Sequence, residues 1–255
     1  MTKIIALFHQ SGGMAKTTLT LNLGYHLAER SNDVLVIDMD GQASLTKRLD
    51  YDPVSLSRTI YDALVEQTDL PVLRTQMQGT TVQMDLVPAN RSLYALGEML
   101  MAADDKQFRL RDALTHLDKP YDFILIDCPP SMGAQSINAL VAATHVLVPM
   151  ETTEKSFENA EMLLDTIKDV LELGNAGLQI AGVIPTRFEA GEEIHKATLE
   201  RINKTFASFT KIHPTIRKRT DFNHALKFRV PLAVVNPKND MVPRLCAIAA
   251  HLETL

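Results

Sequence analysis

The sequence predicts an α/β fold: one domain over residues 1–255, with a twisted, mostly parallel sheet and helices on both of its faces. Short apolar runs alternate with helix-like segments from end to end, and this alternation implies parallel strands joined by right-handed crossovers. Most of the runs are almost continuously apolar, as in Phe123–Asp127, which is typical of strands covered on both faces. No repeat, low-complexity tract or linker divides the chain.

The strands are predicted from the apolar runs and the helices from the longer segments between them. The predicted strands are residues 3–9, 34–38, 82–88, 123–127, 144–149 and 178–185. The predicted helices are residues 17–29, 132–143, 156–173 and 191–206, with a last core-packing helix in residues 244–255. Ligands of such sheets bind at the carboxyl ends of the strands, so we expect the functional residues there.

Composition excludes several classes of protein. The 255 residues are 45% hydrophobic and 22% charged, which is ordinary for a globular protein. There is no apolar run of about 18 residues that could span a membrane, and the N-terminus lacks the features of a signal peptide. Cys128 and Cys246 are too few for a disulfide framework or a metal cage. A cytoplasmic location is therefore expected.

A glycine-containing loop, residues 9–15, lies between the first strand and the first helix. Its glycines allow backbone N–H groups to face phosphate oxygens, and the helix adds its positive N-terminal end. Lys16 is placed to reach the β- and γ-phosphates, and Thr17 to hold Mg²⁺. Gln10 and Ala15 stand where the strict phosphate-loop pattern has glycine, so the alternative is a simple turn with a surface lysine. Its place after the first strand favours nucleotide binding.

Three ordered segments resemble the sequence boxes of the ParA/MinD family of deviant Walker-box ATPases. Residues 11–18 (SGGMAKTT) are similar to the family's KGGxGKTT, residues 36–42 (VIDMDGQ) to D-x-D-P-Q, and residues 121–130 (YDFILIDCPP) to YDxIIIDxPP. Residues 216–232 match a late basic region more loosely. The resemblance implies a single-domain P-loop fold with ATP and Mg²⁺ as cofactors. It assigns nucleotide contacts to Ser11, Gly12, Gly13, Met14, Ala15, Lys16, Thr17, Thr18, Lys155 and Pro214.

Three aspartates at strand ends are candidate catalytic and metal-binding residues. Asp38 and Asp40 are separated by one residue at the end of the second predicted strand, and their roles are expected to differ. A carboxylate at this place can orient a water in line with the γ-phosphate; the resemblance gives that role to Asp40 and puts Asp38 near Mg²⁺ and its waters. A turn cap is the alternative for both. Asp127 is the Walker B candidate, so that the predicted magnesium set is Thr17, Asp38 and Asp127.

Ser11 stands where the family carries a signature lysine that crosses the dimer to the partner's nucleotide. Lys155, after the fifth predicted strand, is the candidate replacement and joins Lys16, Asp38 and Asp40 in the predicted catalytic set. The alternative is a solvated lysine at a helix start. A displaced lysine of this kind resembles the McdA-type, carboxysome-positioning ATPases.

A basic stretch between residues 211 and 229 contains six cations against the single acid Asp221. Such a cluster can contact phosphates without reading bases. Sequence-independent DNA binding is predicted, and the alternative is a solvated charged surface. The predicted DNA-binding residues are Arg217, Lys218, Arg219, Lys227 and Arg229.

The resemblance implies a nucleotide-switched homodimer. ATP and Mg²⁺ would hold two subunits together on nonspecific, nucleoid DNA, and an adaptor (McdB-like or ParB-like) on the cargo would stimulate hydrolysis. Carboxysomes are the expected cargo, and plasmid or chromosome partitioning is the alternative. An alternative of another class is an ATP-dependent ligase similar to dethiobiotin synthetase. No membrane partner is expected, because the last helix has almost no cationic face.

Overall fold

An eight-stranded sheet forms the centre of the computed structural model, which describes residues 1–255 apart from the side chain of Glu161. The strands are β1 (Lys3–Leu7), β2 (Val34–Asp38), β3 (Leu73–Gln76), β4 (Gln83–Val87), β5 (Phe123–Asp127), β6 (His145–Glu151), β7 (Gln179–Phe188) and β8 (Ile216–Arg217). Their order in the sheet is β3-β4-β2-β5-β1-β6-β7-β8. Only the β3–β4 pair of this sheet is antiparallel, which confirms the predicted fold class.

Helices cover both faces of the sheet. The helices are α1 (Lys16–Glu29), α2 (Ser44–Arg48), α3 (Ile60–Glu66), α4 (Leu96–Met99), α5 (Arg109–Leu114), α6 (Ala134–Ala142), α7 (Glu154–Glu158), α8 (Ala160–Leu173), α9 (Glu193–Phe206), α10 (Thr220–Phe228), α11 (Leu232–Val235) and α12 (Val242–Leu252), with a 3₁₀ helix at Arg91–Ala95. Among the described residues, no helix is both long enough and apolar enough to cross a membrane.

The two layers of helices are held by the alternation of side chains along the central strands. In β1, Ile5 and Leu7 join the apolar cluster that contains α1 and α12. Ala6 and the following Phe8 join the cluster that contains α6 and α8. Each central strand therefore contributes to two cores, which explains why its sequence is apolar at successive positions.

Six predicted strands are present with ends shifted by a few residues at most, but β3 and β8 were not predicted. Both lie at sheet edges, where burial is incomplete and the apolar signal is weak: β3 has one fully buried residue, Thr75, and β8 has two residues in all. The predicted helix 156–173 is interrupted at Asn159, between α7 and α8.

Candidate nucleotide-binding site

The ends of β1, β2 and β5 bring the three sequence motifs together at one edge of the sheet. Leu7 pairs with Asp127, and Asp38 also pairs with Asp127. A cavity of about 430 Å³ opens beside these strand ends. The predicted residues that line it are Gly12, Gly13, Met14, Ala15, Lys16, Thr17, Thr18, Asp40, Arg217, Lys218 and Arg219.

The phosphate loop has the backbone conformation that its glycines favour. Gly13 has φ of +82°, and Ala15, the residue before α1, has φ of +65°. Alanine at a left-handed position has a small steric cost that glycine avoids, so Ala15 departs from the strict pattern without changing the turn. The first backbone bond of α1 is from Leu19 N to Ala15 O, at 2.9 Å. Since first-turn N–H groups have no partner within a helix, this end of α1 suits an anion.

Lys16 lies folded against the loop that it follows. Its Nζ donates to the carbonyl oxygens of His9, at 2.8 Å, and Ser11, at 3.1 Å. Burial lowers the pKa of Lys16, and the nearby carboxylates Asp127 and Asp40 oppose that shift. Burial, with Lys16 adding to it, lowers the pKa of His9 to about 4. The Lys16 side chain at the phosphate loop thus lies near an imidazole that is neutral at neutral pH.

Asp38 and Asp127 are adjacent carboxylates that are removed from water. Asp38 Oδ2 accepts from the backbone N, at 2.9 Å, and the Oγ1, at 2.8 Å, of Thr46, and Oδ1 accepts from Asp40 N at 3.2 Å. Asp127 Oδ1 accepts from Thr20 Oγ1 at 3.5 Å, whereas its buried Oδ2 has no hydrogen-bond partner among the described residues. Burial raises the pKa of both carboxyls, and Asp38 raises that of Asp127 further, while the nearby Thr17 hydroxyl opposes the shift.

These groups fit a magnesium ion that is shared with phosphates. Within the described part of the chain, no group of three or more His, Cys, Asp or Glu side chains could hold a metal ion. Mg²⁺ typically takes only one or two carboxylates together with substrate phosphates and water. The free oxygen of Asp127, its neighbour Asp38 and the Thr17 hydroxyl are the groups that would hold it.

Asp40 lies next to this pair but faces the cavity. It is partly exposed, and its Oδ1 accepts from Gln42 N at 2.9 Å. The ring of Tyr94 lies against Gly41, where an added Cβ would come within 2.9 Å of it, and the Tyr94 hydroxyl accepts a hydrogen bond from Gln42 Nε2. Gly41, which replaces the family's proline, therefore lets Tyr94 fix the loop that carries Asp40.

Lys155 lies outside the cavity, on the exposed side of α7. The α7–α8 segment that carries it is fastened to the phosphate loop. Asn159 Nδ2 donates to Ser11 Oγ at 2.8 Å, and Ser156 Oγ donates to Met14 Sδ at 3.3 Å. Gln10 Nε2 donates to Thr166 Oγ1 of α8 at 2.6 Å. Ser11 thus connects α7–α8 to the loop instead of supplying a charge.

The five predicted DNA-binding cations fall into two groups. Arg217, Lys218 and Arg219 line the cavity and form ion pairs: Arg219 Nη2 lies 2.7 Å and Arg217 Nη1 3.7 Å from Asp240 Oδ2, and Lys218 Nζ lies 3.2 Å from Glu189 Oε1. Lys227 and Arg229, at the end of α10, lie outside the cavity and are exposed. Arg229 pairs with Asp50.

Pro214, like Ser11 and Lys155 among the predicted nucleotide contacts, does not line the cavity. It lies in a neighbouring groove between α9 and α12, together with His213 and His251. The predicted set is therefore not one contiguous surface.

Two arginines of the cavity were not predicted. Arg187 has φ of +53°, its Nη1 donates to Gly13 O at 3.5 Å, and its Nε lies 3.3 Å from Glu151 Oε1. Arg48, the last residue of α2, donates from Nη1 to Thr18 Oγ1 at 3.1 Å. A polar residue at the end of the apolar β7 run could have indicated Arg187. The sequence of α2 has no such signal.

Comparison with known proteins identifies this arrangement. Residues 2–180 match the sequence family described as an AAA domain. The chain is 34% identical over 204 residues to the chromosome partitioning protein ParA of Myxococcus xanthus, covering 80% of this chain and 71% of that protein.

Two solved structures have the same fold. Cobyrinic acid a,c-diamide synthase from Mycobacterium smegmatis, with a bound ATP analogue and magnesium, has a TM-score of 0.80 at 30% identity and covers 90% of this chain and 92% of its own. An ATP complex of Cyanothece McdA has a TM-score of 0.88 at 23% identity and covers 98% of this chain and 96% of its own. Together with the three motifs that meet at the strand ends, these matches confirm that the chain belongs to the ParA/MinD family of deviant Walker-box ATPases.

Proposed function

We propose that this ATPase is an ATP-dependent homodimer that binds DNA without sequence preference and positions a cargo through an adaptor that stimulates hydrolysis. The observation that carries the proposal is the attachment of α7–α8 to the phosphate loop. Ser11 has no charge to offer a partner's nucleotide, but it accepts a hydrogen bond from Asn159, four residues after Lys155. The exposed lysine therefore sits on a segment whose position depends on the loop.

Within one subunit, the residues divide the work of ATP hydrolysis. Gly13, Lys16 and the first turn of α1 bind phosphate. Asp40, which faces the cavity, orients the attacking water. Bound Mg²⁺, held by Thr17, Asp38 and Asp127, would neutralise charge on the phosphates.

Between subunits, Lys155 supplies the charge that the family's signature lysine supplies elsewhere. Two nucleotides brought to one interface concentrate negative charge, and a lysine from each subunit offsets it. Because Lys155 is exposed and lies outside its own cavity, it is available to a second copy of the chain. ATP binding and dimerisation are thereby coupled.

DNA binding is proposed for the exposed end of α10. Lys227 and Arg229 are exposed. Exposed cations of this kind can contact DNA phosphates whatever the base sequence. Arg217, Lys218 and Arg219 take part as well, but they also border the nucleotide cavity. Nucleotide-dependent changes in that cavity would therefore reach the DNA-binding surface through β8 and α10.

Carboxysomes are the proposed cargo and the nucleoid surface the proposed location. Ser11 and Lys155 together support this assignment, because the McdA-type ATPases share the displaced lysine. Plasmid or chromosome partitioning is the second candidate, and it is favoured by the 34% identity to a chromosome partitioning protein.

A DNA-retention assay tests the proposal without disturbing the nucleotide site. In the presence of ATP, Lys227→Glu with Arg229→Glu should weaken binding to all DNA sequences alike by at least about tenfold and reduce its salt dependence. Lys106→Glu with Arg111→Glu, an equal change of charge on and near α5, should leave DNA binding as in the wild type. Unchanged DNA retention in the α10 variant would contradict the proposed surface.

ATP turnover measured with and without DNA and the protein encoded beside this one tests the adaptor. Stimulation by that protein supports the positioning function. The rival small-molecule ligase has support from the 30% identity to a solved structure described as a diamide synthase. Turnover that rises with a metabolite, and not with DNA or the adaptor, would favour the ligase.

A further inference from the structure

Arg48 is a cation of the nucleotide cavity to which none of the sequence motifs gives a role. It is the last residue of α2, a helix of five residues. Thr46 fixes this helix from two sides: it donates to Asp38, and its Oγ1 accepts from Ala89 N at 3.0 Å. Leu45, within α2, and Leu49, directly after it, are buried. The direction in which Arg48 extends is therefore set by the fold.

The Arg48 guanidinium is short of partners for a group largely removed from water. It carries five N–H donors, and one hydrogen bond, to Thr18 Oγ1, is present. Among the described residues, no carboxylate oxygen lies within 4.0 Å of it. Burial lowers the pKa of Arg48, and the carboxylates of Asp127 and Asp38 oppose that shift from beyond ion-pair distance. Most of its N–H donors are therefore left for a further anion.

The surroundings identify the class of anion. Arg48 lines the same cavity as the phosphate loop and the first turn of α1. Its one hydrogen-bond partner, Thr18, follows Lys16, which reaches the terminal phosphates, and Thr17, which is placed for Mg²⁺. The guanidinium fork matches phosphate geometry. The phosphate next to Thr18, beyond the Lys16 and Thr17 positions, is the one closest to the nucleoside.

We propose that Arg48 binds the nucleoside-proximal phosphate of the bound nucleotide from within the same subunit. This phosphate is common to ADP and ATP, so Arg48 contributes equally to the affinity for both. Lys155, by contrast, is proposed to act between subunits. Arg48 therefore retains ADP after hydrolysis and slows the exchange of ADP for ATP.

The experiment is calorimetric titration of monomeric protein with ADP and with a non-hydrolysable ATP analogue, in EDTA and in Mg²⁺. Arg48→Gln should weaken both nucleotides by the same factor, about 10- to 100-fold, in either buffer. It should also increase the dissociation rate of a fluorescent ADP by a similar factor. Arg48→Lys keeps the charge but loses the fork, and should fall between the wild type and Arg48→Gln.

Lys47→Gln is the matched control, since Lys47 is the neighbouring cation of α2, is exposed, and does not line the cavity. It should leave ADP affinity unchanged. Loss of affinity for the ATP analogue alone, or loss only in Mg²⁺, would overturn the proposal, because Arg48 would then act on the terminal phosphate or through Asp38 and Asp127. Unchanged ADP affinity in Arg48→Gln would also overturn it. If Arg48→Gln fails to fold, ADP affinity of Arg48→Lys equal to that of the wild type overturns it.

Discussion

Asp38 and Asp127 lie side by side at the ends of β2 and β5, and their mutual repulsion opposes folding of the nucleotide-free protein. A carboxyl whose pKa is raised by folding holds its proton more tightly in the folded state than in the unfolded state. Its contribution to the free energy of unfolding is therefore greatest in acid, and declines as the pH rises from the ordinary carboxyl range through the raised pKa. The same two groups are the ones that would hold Mg²⁺.

Asp127→Asn should stabilise the nucleotide-free protein and abolish its response to magnesium. The change removes one charge of a buried like-charged pair, which should raise Tm by about 2–6 °C, or about 1–2 kcal/mol. The gain should grow between pH 5 and pH 8, because the wild type loses stability over that range. Thermal unfolding in EDTA measures this gain in Tm. The buried histidines are the same in both proteins, so their contributions cancel when the variant is compared with the wild type. A gain that shrinks as the pH rises would contradict the assignment.

Asp40→Ala should still bind ATP but lose turnover by about 10²–10⁴-fold, because orienting the attacking group is a transition-state role. Single-turnover hydrolysis and calorimetry separate the two effects. Asp38 differs, since its oxygens accept hydrogen bonds from Thr46 and Asp40, so Asp38→Ala should also lower Tm. Normal turnover in Asp40→Ala would move the water-orienting role to another residue.

Among single residues, the sequence indicated those whose position follows from a strand end. Asp38, Asp40 and Asp127 follow apolar runs, and the site of a parallel sheet lies at its carboxyl edge. Arg48 could not be found in this way. Its contact with Thr18 joins residues 30 positions apart. The contact depends on the direction of α2, a five-residue helix that is held by the hydrogen bonds from Thr46 to Asp38.

Among the secondary-structure elements, β7 contains a local irregularity that shapes its outer neighbour. Its register against β6 shifts near Gly182, whose φ is +150°. Val183 N donates to Lys211 O at 2.8 Å, and His213 N donates to Val183 O at 2.9 Å. The segment 211–213 thus continues the sheet beside Gly182 and leads into β8, which borders the nucleotide cavity.

Gly182→Ala should destabilise the protein by about 2–4 kcal/mol, because the site has neither the space nor the backbone conformation for a side chain. A Cβ there would lie 2.4 Å from His213 Nε2 and 2.8 Å from Lys211 O. Urea unfolding measures the loss. Gly191→Ala is the control, since a Cβ at that glycine meets nothing within 4 Å, and its stability should match that of the wild type. Equal stability of the two variants would show that the bulge adapts.

Strand β3 and the break between α7 and α8 were not predicted, because neither produces a pattern in the local sequence. Edge strand β3 has the sequence LRTQ and buries little apolar surface. The central strands are buried on both faces, and their continuous apolar runs are therefore visible in the sequence. The interruption between α7 and α8 is also invisible in the sequence, because helical periodicity continues through it. Asn159 leaves the helix to bond Ser11, a partner 148 residues away.

For the molecule as a whole, the proposed dimer depends on Lys155. Lys155→Ala should bind ATP as a monomer of 28.3 kDa but fail to dimerise, bind DNA or hydrolyse ATP. Light scattering with ATP measures the mass. Lys168→Ala, which removes an exposed lysine of α8, should dimerise as the wild type does. Ser11→Lys in the Lys155→Ala background would restore the family pattern and is expected to recover dimerisation. An ATP-dependent dimer of normal strength in Lys155→Ala would refute the displaced lysine.

The bonds from Gln10, Ser11 and Met14 to the α7–α8 segment have a thermodynamic consequence. They make the phosphate loop and the surface that carries Lys155 parts of one linked equilibrium, and such linkage is reciprocal. The factor by which ATP increases the affinity of one subunit for another is also the factor by which the second subunit increases the affinity for ATP. A ligand that binds the outer surface of α7 or α8 would therefore alter nucleotide affinity without entering the cavity. An adaptor that binds there could in this way promote nucleotide release.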